Sequence, residues 1–252
     1  STRTNTLFPY TTLFRSALGP GASALVQRKA KVDFLRALRA YGRVSAGVEI
    51  EIRKRIPVGG GLGGGSSDAA AVLLGLDRLW KLELGPDGLH RLARRLGADV
   101  PFFLLGGTAL GLSRGDEVYP LRQQVRAHLV VVDPGIHVST ARVFARVDAG
   151  LTPRLNSNSI FYFVSRELEG SGAFPGLVND LEESALEEAP ALREQAGRIR
   201  IVLLREGARL AALSGSGASY FGLFEGARPA ERARRALVDE GFRALVARTL
   251  TL

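Results

Sequence analysis

Residues 57 to 71 read PVGGGLGGGSSDAAA, and the reading of this stretch decides the fold. Its six glycines, Gly59 to Gly61 and Gly63 to Gly65, separate two segments of different period. Before them Val48, Ile50 and Ile52 alternate with Glu49, Glu51 and Arg53, the period of a half-buried strand. After them Ala69 to Trp80 is rich in alanine and leucine, and Ser66, Ser67 and Asp68 stand where helix N-caps belong. In the order strand, glycine loop, helix, the bare backbone can approach a ligand closely. Exposed N–H groups and the helix dipole then make an anion site suited to a di- or triphosphate. No lysine precedes the serine pair, so the loop is not a Walker A motif. The spacing also differs from the dinucleotide fingerprint, and no acidic residue closes a βαβ unit. A flexible glycine linker is the competing account, and the strand and helix on either side argue against it.

Working outward, Val32, Leu35, Ala37, Leu38 and Tyr41 fall near helical spacing and Gly42 is a stop. Downstream, Leu89, Leu92, Ala93 and Leu96 predict a helix with Asp87 near its start and Gly97 at its end. Asp99 follows in the turn, where Pro101 biases Val100 towards an extended conformation. His128 to Val132 reads as a buried strand closed by Pro134 and Gly135, with a helix from about Ser139. Short apolar runs, Leu210 to Leu213 and Tyr220 to Phe224, flank SGSGAS, and Pro229 to Gly241 is a basic helix. The pattern is α+β in two domains, 17–124 and 125–252, with the boundary near Gln124.

The 252 residues are 46% hydrophobic and 23% charged, enough apolar material to bury sizeable cores. The longest apolar stretch, Val100 to Leu112, falls short of the roughly 20 residues that span a bilayer. With no cysteine, thiolate zinc sites and cysteine nucleophiles are excluded, and His90, His128 and His137 share no metal-ligand spacing. A net charge of +9 suits an anionic ligand, a nucleic acid or an anionic surface. The arginines are scattered among helices and do not alternate with aromatics, which disfavours nucleic acid.

No methionine occurs anywhere, so the chain reads as a fragment. Thr6 to Ser16, TLFPYTTLFRS, resembles the conceptual translation of a sequencing-library adapter, and residues 1 to 16 are set apart from the fold as non-native. A genuine β-prone segment at Tyr10 to Phe14 is the alternative.

The glycine loop, together with LGADVPFF (Leu96 to Phe103), GDEVYPL (Gly115 to Leu121), NDLE (Asn179 to Glu182) and LSGSGASYFGLF (Leu213 to Phe224), resembles the GHMP kinases. Within them it is similar to the branch that phosphorylates a cytidine diphosphate-linked methylerythritol. The resemblance runs from about Ala17 to the C-terminus. It implies a two-domain fold, an incomplete N-terminal domain like domain 2 of ribosomal protein S5 and a ferredoxin-like C-terminal domain. It also implies ATP and Mg2+ as cofactors, a small-molecule alcohol as substrate, and transfer of phosphate to its 2-hydroxyl in non-mevalonate isoprenoid synthesis.

Carried over by motif, Pro57, Gly59, Gly60, Gly61, Leu62, Gly63, Gly64, Gly65, Ser66 and Ser67 would hold the ATP phosphates. Asp99 would be the catalytic aspartate that accepts or orients the hydroxyl proton; without the family it reads as a cap for the next segment. In PGIHVSTARVF (Pro134 to Phe144), Thr140 would lie near the substrate and Phe144 against the cytosine ring. Otherwise Phe144 is an ordinary core residue. Gly215, Ser216 and Gly217 would bring a second glycine turn to the site; alone, SGSG is a plain turn. No magnesium ligand is assigned beyond a loop serine.

The family's first-strand lysine, which pairs with the aspartate, and its tyrosine and histidine that grip the cytidine have no match here. Lys29 and Lys31 lie in or beside the first helix. A chain truncated upstream of Ala17 accounts for this, and the loss of strands predicts unpaired sheet edges and poor stability. Competing readings are another GHMP kinase or decarboxylase, and a nucleotide-binding chain without turnover. No membrane or nucleic-acid partner is expected, and the expected compartment is the bacterial cytoplasm, or a plastid if a transit peptide was lost.

Overall fold

The computed structural model describes residues 6–7, 12–15, 38–45, 47–52, 56–57, 59–121, 127–150 and 179–249. Gln124, Ala17, Lys29 and Lys31 lie outside them, as does the helix predicted from Val32 except for its last residues, 38–41, which are helical. The chain is α+β and divides into two compact units. One comprises Ser1–Arg55 and Gly63–Pro120, the other Ile56–Leu62 and Leu121–Leu252. The change at Pro120 falls close to the predicted boundary. The first half of the glycine loop, however, packs with the second unit, which no local pattern announces.

In the first unit, strands β1 (Thr6–Leu7), β2 (Thr12–Arg15) and β3 (Glu49–Ile52) form an antiparallel sheet in that order. Thr12 pairs with Ile52 and Arg15 with Glu49. The segment set apart as non-native therefore supplies the backbone partners of β3. On that side β3 is paired, because any extended segment can complete a ladder through its N–H and C=O groups, while among the described residues β3 remains an edge strand on the other side. Helix α1 (Gly64–Trp80) follows the loop, then α2 (Gly85–Leu96) and the short α3 (Val100–Leu105). Ala70, Leu73 and Leu76 recur at helical spacing and are buried on one side of α1, where they meet Leu38, Val48, Ala93 and Val100. The buried face of β3 fades along its length: Val48 just before it is 3% exposed, whereas Ile52 is 44% exposed.

Two local expectations are corrected. Ser66, Ser67 and Asp68 are not the cap of α1; the helix starts at Gly64 with Gly63 as its N-cap, so all three sit in its first turns. Val100 is helical and not extended, because Pro101 stands in the first turn of α3, where its missing N–H costs nothing. Beyond α3, β4 (Thr108–Leu112) and β5 (Glu117–Leu121) make a two-stranded sheet. Asp116 in their connection is fully buried, accepting hydrogen bonds from Arg94 of α2 (3.0 Å) and Arg114 (3.1 Å). These two guanidinium groups hold its carboxyl below the usual carboxylate range.

The second unit is built on a four-stranded antiparallel sheet of order β7-β8-β6-β9: β6 (His128–Asp133), β7 (Leu210–Leu213), β8 (Tyr220–Phe224) and β9 (Arg243–Arg248). The predicted apolar runs form its strands, and alternation buries Val130 and Val132 of β6 with Tyr220 and Phe224 of β8. Helices α6 (Ala191–Arg205) and α7 (Ala227–Asp239) cover this face with Ile199, Leu203 and Leu237. Helices α4 (Thr140–Gly150) and α5 (Glu182–Glu188) are tied by Arg142 and Arg146, each 3.2 Å from Glu188. Among the described residues no helix is long and apolar enough to cross a membrane.

Candidate active site

The glycine loop folds as it does because its residues up to Leu62 are laced to the turn 214–219 that joins β7 to β8. The Ser219 amide donates to the Gly60 carbonyl (3.2 Å) and the Ser214 hydroxyl to the Gly61 carbonyl (3.0 Å). Gly61 has φ +70, and a Cβ there would lie 2.0 Å from the Ser214 carbonyl oxygen and 2.9 Å from Gly217. Only glycine fits, on both conformational and steric grounds. At Gly60 a Cβ would meet the Ser219 hydroxyl at 2.5 Å. Ser219 is fully buried and its Oγ has no hydrogen-bond partner among the described residues. The ring of His137, itself exposed, lies beside Gly59.

The same turn gathers other predicted residues of the second unit. Thr140, at the start of α4, is hydrogen-bonded through Oγ1 to Oγ of the buried Ser216 (2.8 Å). Phe144 lies four residues on, hence on the same helix face, and is 49% exposed while its neighbour Val143 is fully buried. Phe144 is therefore not a core residue. Gly215 stands exposed at the crest of the turn, and Gly217 donates its amide to the Ser214 carbonyl (2.9 Å).

In the first unit the loop ends at Gly63, whose φ is +63 and on which the Phe103 ring rests; a Cβ there would come within 2.5 Å of it. Phe103 reaches Gly63 from α3, which packs on α1 through the buried Val100. The N-cap of α1 is Gly63, which has no side chain to cap the helix, and no acidic residue occupies its first turn. The Ser67 hydroxyl turns back to the Gly64 carbonyl (3.0 Å), while Gly65 borders open space. The Ser66 hydroxyl makes no hydrogen bond among the described residues. Asp99 is exposed and holds the N-cap position of α3, as its reading as a cap for the next segment expects, but its side chain makes no capping hydrogen bond. It stands four residues, about one helical turn, from the Phe103 ring that covers Gly63.

Within the first unit, the start of α1 is suited to an anion and Asp99 at the start of α3 offers an exposed carboxylate. Among the described residues no group of three or more His, Cys, Asp or Glu could cage a metal. One hydroxyl, that of Ser66, beside ligand phosphates fits magnesium, which retains several waters and takes few protein ligands. Sequence reasoning missed Ser214, Ser219 and His137 and left NDLE without a role. Asn179 donates from Nδ2 to the carbonyls of Leu213 (3.0 Å) and Gly215 (2.8 Å), contacts 34 and 36 residues away that no local pattern reveals.

The chain matches the GHMP kinases N terminal domain over residues 25–107 and the GHMP kinases C terminal domain over 170–244. It is 44% identical over 207 residues to 4-diphosphocytidyl-2-C-methyl-D-erythritol kinase of Solibacter usitatus, covering 81% of this chain and 62% of that protein. To the kinase of the same name from Pelotomaculum thermopropionicum it is 40% identical, covering 82% of this chain and 69% of the relative. It thus spans about two thirds of the length of these relatives. The crystal structure of a 4-(cytidine 5'-diphospho)-2C-methyl-D-erythritol kinase superposes with a TM-score of 0.71 at 36% identity, over 95% of this chain and 87% of that one. Homoserine kinase from Cytophaga hutchinsonii shares the fold at 19% identity, with a TM-score of 0.66 over 95% of this chain and 85% of that one.

Proposed function

The chain belongs to the GHMP kinase family, and from that premise we propose that it transfers the γ-phosphate of ATP to the 2-hydroxyl of 4-diphosphocytidyl-2-C-methyl-D-erythritol. Such a transfer is a step of non-mevalonate isoprenoid synthesis. The observation that carries the reading is the glycine loop, built so that only backbone occupies Gly60 and Gly61 and leading through Gly63, its N-cap, into a long helix with no acidic residue in its first turn. The names borne by relatives at 40% and 44% identity supply the acceptor.

Phosphoryl transfer requires placement and charge neutralisation far more than covalent help. Backbone N–H groups from Gly59 to Gly65 and the first turn of α1, with Ser66 and Ser67, hold the phosphates; Pro57 and Leu62 frame the loop. Ser66 is the loop hydroxyl open to magnesium, which when bound neutralises charge on the phosphate oxygens. Asp99 takes the hydroxyl proton as the substrate oxygen bonds to phosphorus and the bond to the ADP oxygen breaks. Thr140 and Phe144 present a hydroxyl and an exposed ring on one face of α4, matched to a polar polyol and a flat base. Gly215, Ser216 and Gly217 hold the turn on which the loop rests.

Coupled ADP release, with diphosphocytidyl methylerythritol, mevalonate or homoserine as acceptor, tests the reading. ADP formed with the first alone, and abolished by chelating magnesium, is expected. Release with mevalonate would assign the chain to another branch, and ATP binding without ADP would make it a nucleotide-binding protein without turnover.

A further inference from the structure

We propose that Asn179, the first residue of NDLE, is a positioning residue for the glycine loop, acting on it through the turn 214–219. The inference rests on the reading of that loop as a phosphate cradle. Both N–H bonds of the Asn179 amide are used, one on the carbonyl of Leu213 and one on that of Gly215, while its Oδ1 accepts the Leu181 amide (3.1 Å). The Leu213–Ser214 and Gly215–Ser216 peptide planes, which flank the Ser214–Gly215 peptide, are thereby held. The Ser214 hydroxyl is aimed at the Gly61 carbonyl, and the Ser219 amide, at the far end of the turn, at Gly60.

The last residue of the motif fastens the other flank. Glu182 accepts the Tyr220 hydroxyl (2.7 Å) and pairs with Arg200, which lies over the Tyr220 ring. NDLE thus brackets the turn between Leu213 and Tyr220. The loop, which makes its backbone contacts with that turn, inherits its position from a side chain whose hydrogen bonds among the described residues go to the turn and to Leu181.

Asn179→Asp separates this role from a local one, because it keeps the acceptor for Leu181 and removes both donors. The Ser219 amide, donated to Gly60, reports the loop contact by hydrogen exchange, and ATP titration reports its use. Loss of two neutral hydrogen bonds predicts that Asn179→Asp speeds Ser219 exchange and weakens ATP binding by about tenfold. A Val246→Ala control of matched melting temperature, altered on β9, should move neither. Asn179→Ser, which keeps one donor, should fall between parent and Asp and serves if the Asp variant does not fold.

Unchanged Ser219 exchange in the Asn179 variants overturns the proposal. So does an equal effect from Val246→Ala, which would reduce the motif to general stability. If the parent chain fails to bind ATP while the Asn179 variants still speed Ser219 exchange, the phosphate reading has failed and the positioning role falls with it, leaving a structural tie alone.

Discussion

At Gly61 the loop leaves no volume for even a methyl group, since a Cβ would lie 2.0 Å from a backbone oxygen that cannot move without its turn. Gly61→Ala is accordingly expected to abolish ATP binding in a titration, by lifting the loop off Ser214 and straining a positive φ. Ser219 offers the contrast. Its buried hydroxyl makes no hydrogen bond among the described residues, so Ser219→Ala removes an unsatisfied group and should leave the melting temperature unchanged or raised. Asp99 is exposed and carries no capping bond, so Asp99→Asn should leave stability and ATP affinity intact while slowing turnover by about 10²- to 10⁴-fold. Unchanged turnover in that variant would remove Asp99 from the mechanism.

Elements are held by two different means. Helix α1 is held by apolar burial: Leu73 and Leu76 are fully buried, and Leu76→Ala should cost about 2–5 kcal/mol by urea denaturation, whereas the 65% exposed Ile201 should tolerate alanine. The β4–β5 connection is held by charge. Asp116 carries a carboxyl whose pKa is lowered in the folded state from an ordinary 3.8 by Arg114 and Arg94. Its contribution is therefore present above the unfolded value and lost as pH falls through the folded one, below about pH 4. Asp116→Asn should flatten the acid limb of the stability curve, read as melting temperature between about pH 6 and pH 2; an unaltered limb would mean the three-way contact does not survive in solution.

Among the described residues there are two cores, one gathered on α1 and the other between the four-stranded sheet and helices α6 and α7. Because β2 gives β3 its backbone partners, deleting residues 1–16 should speed amide exchange across Glu49 to Ile52 and leave Val130 and Val132 protected. Much of this organisation was legible beforehand. Alternation at Val48 to Ile52, alanine and leucine spacing after the loop, and short apolar runs around SGSGAS marked β3, α1, β7 and β8, since strand and helix periods are local properties of residue order. The start of α1 and the helical Val100 were misread because glycine and proline each permit more than one local outcome until neighbours choose. By itself the sequence determined the α+β class, a glycine loop set between a strand and a helix, and the motifs that identify its family. Only the tertiary structure decided that the loop is laced to Ser214 and Ser219, that Thr140 meets Ser216, that Phe144 is exposed and that Asn179 clamps the turn. These are contacts between residues far apart in the chain, and their geometry is set by packing and hydrogen-bond satisfaction, which no local period encodes.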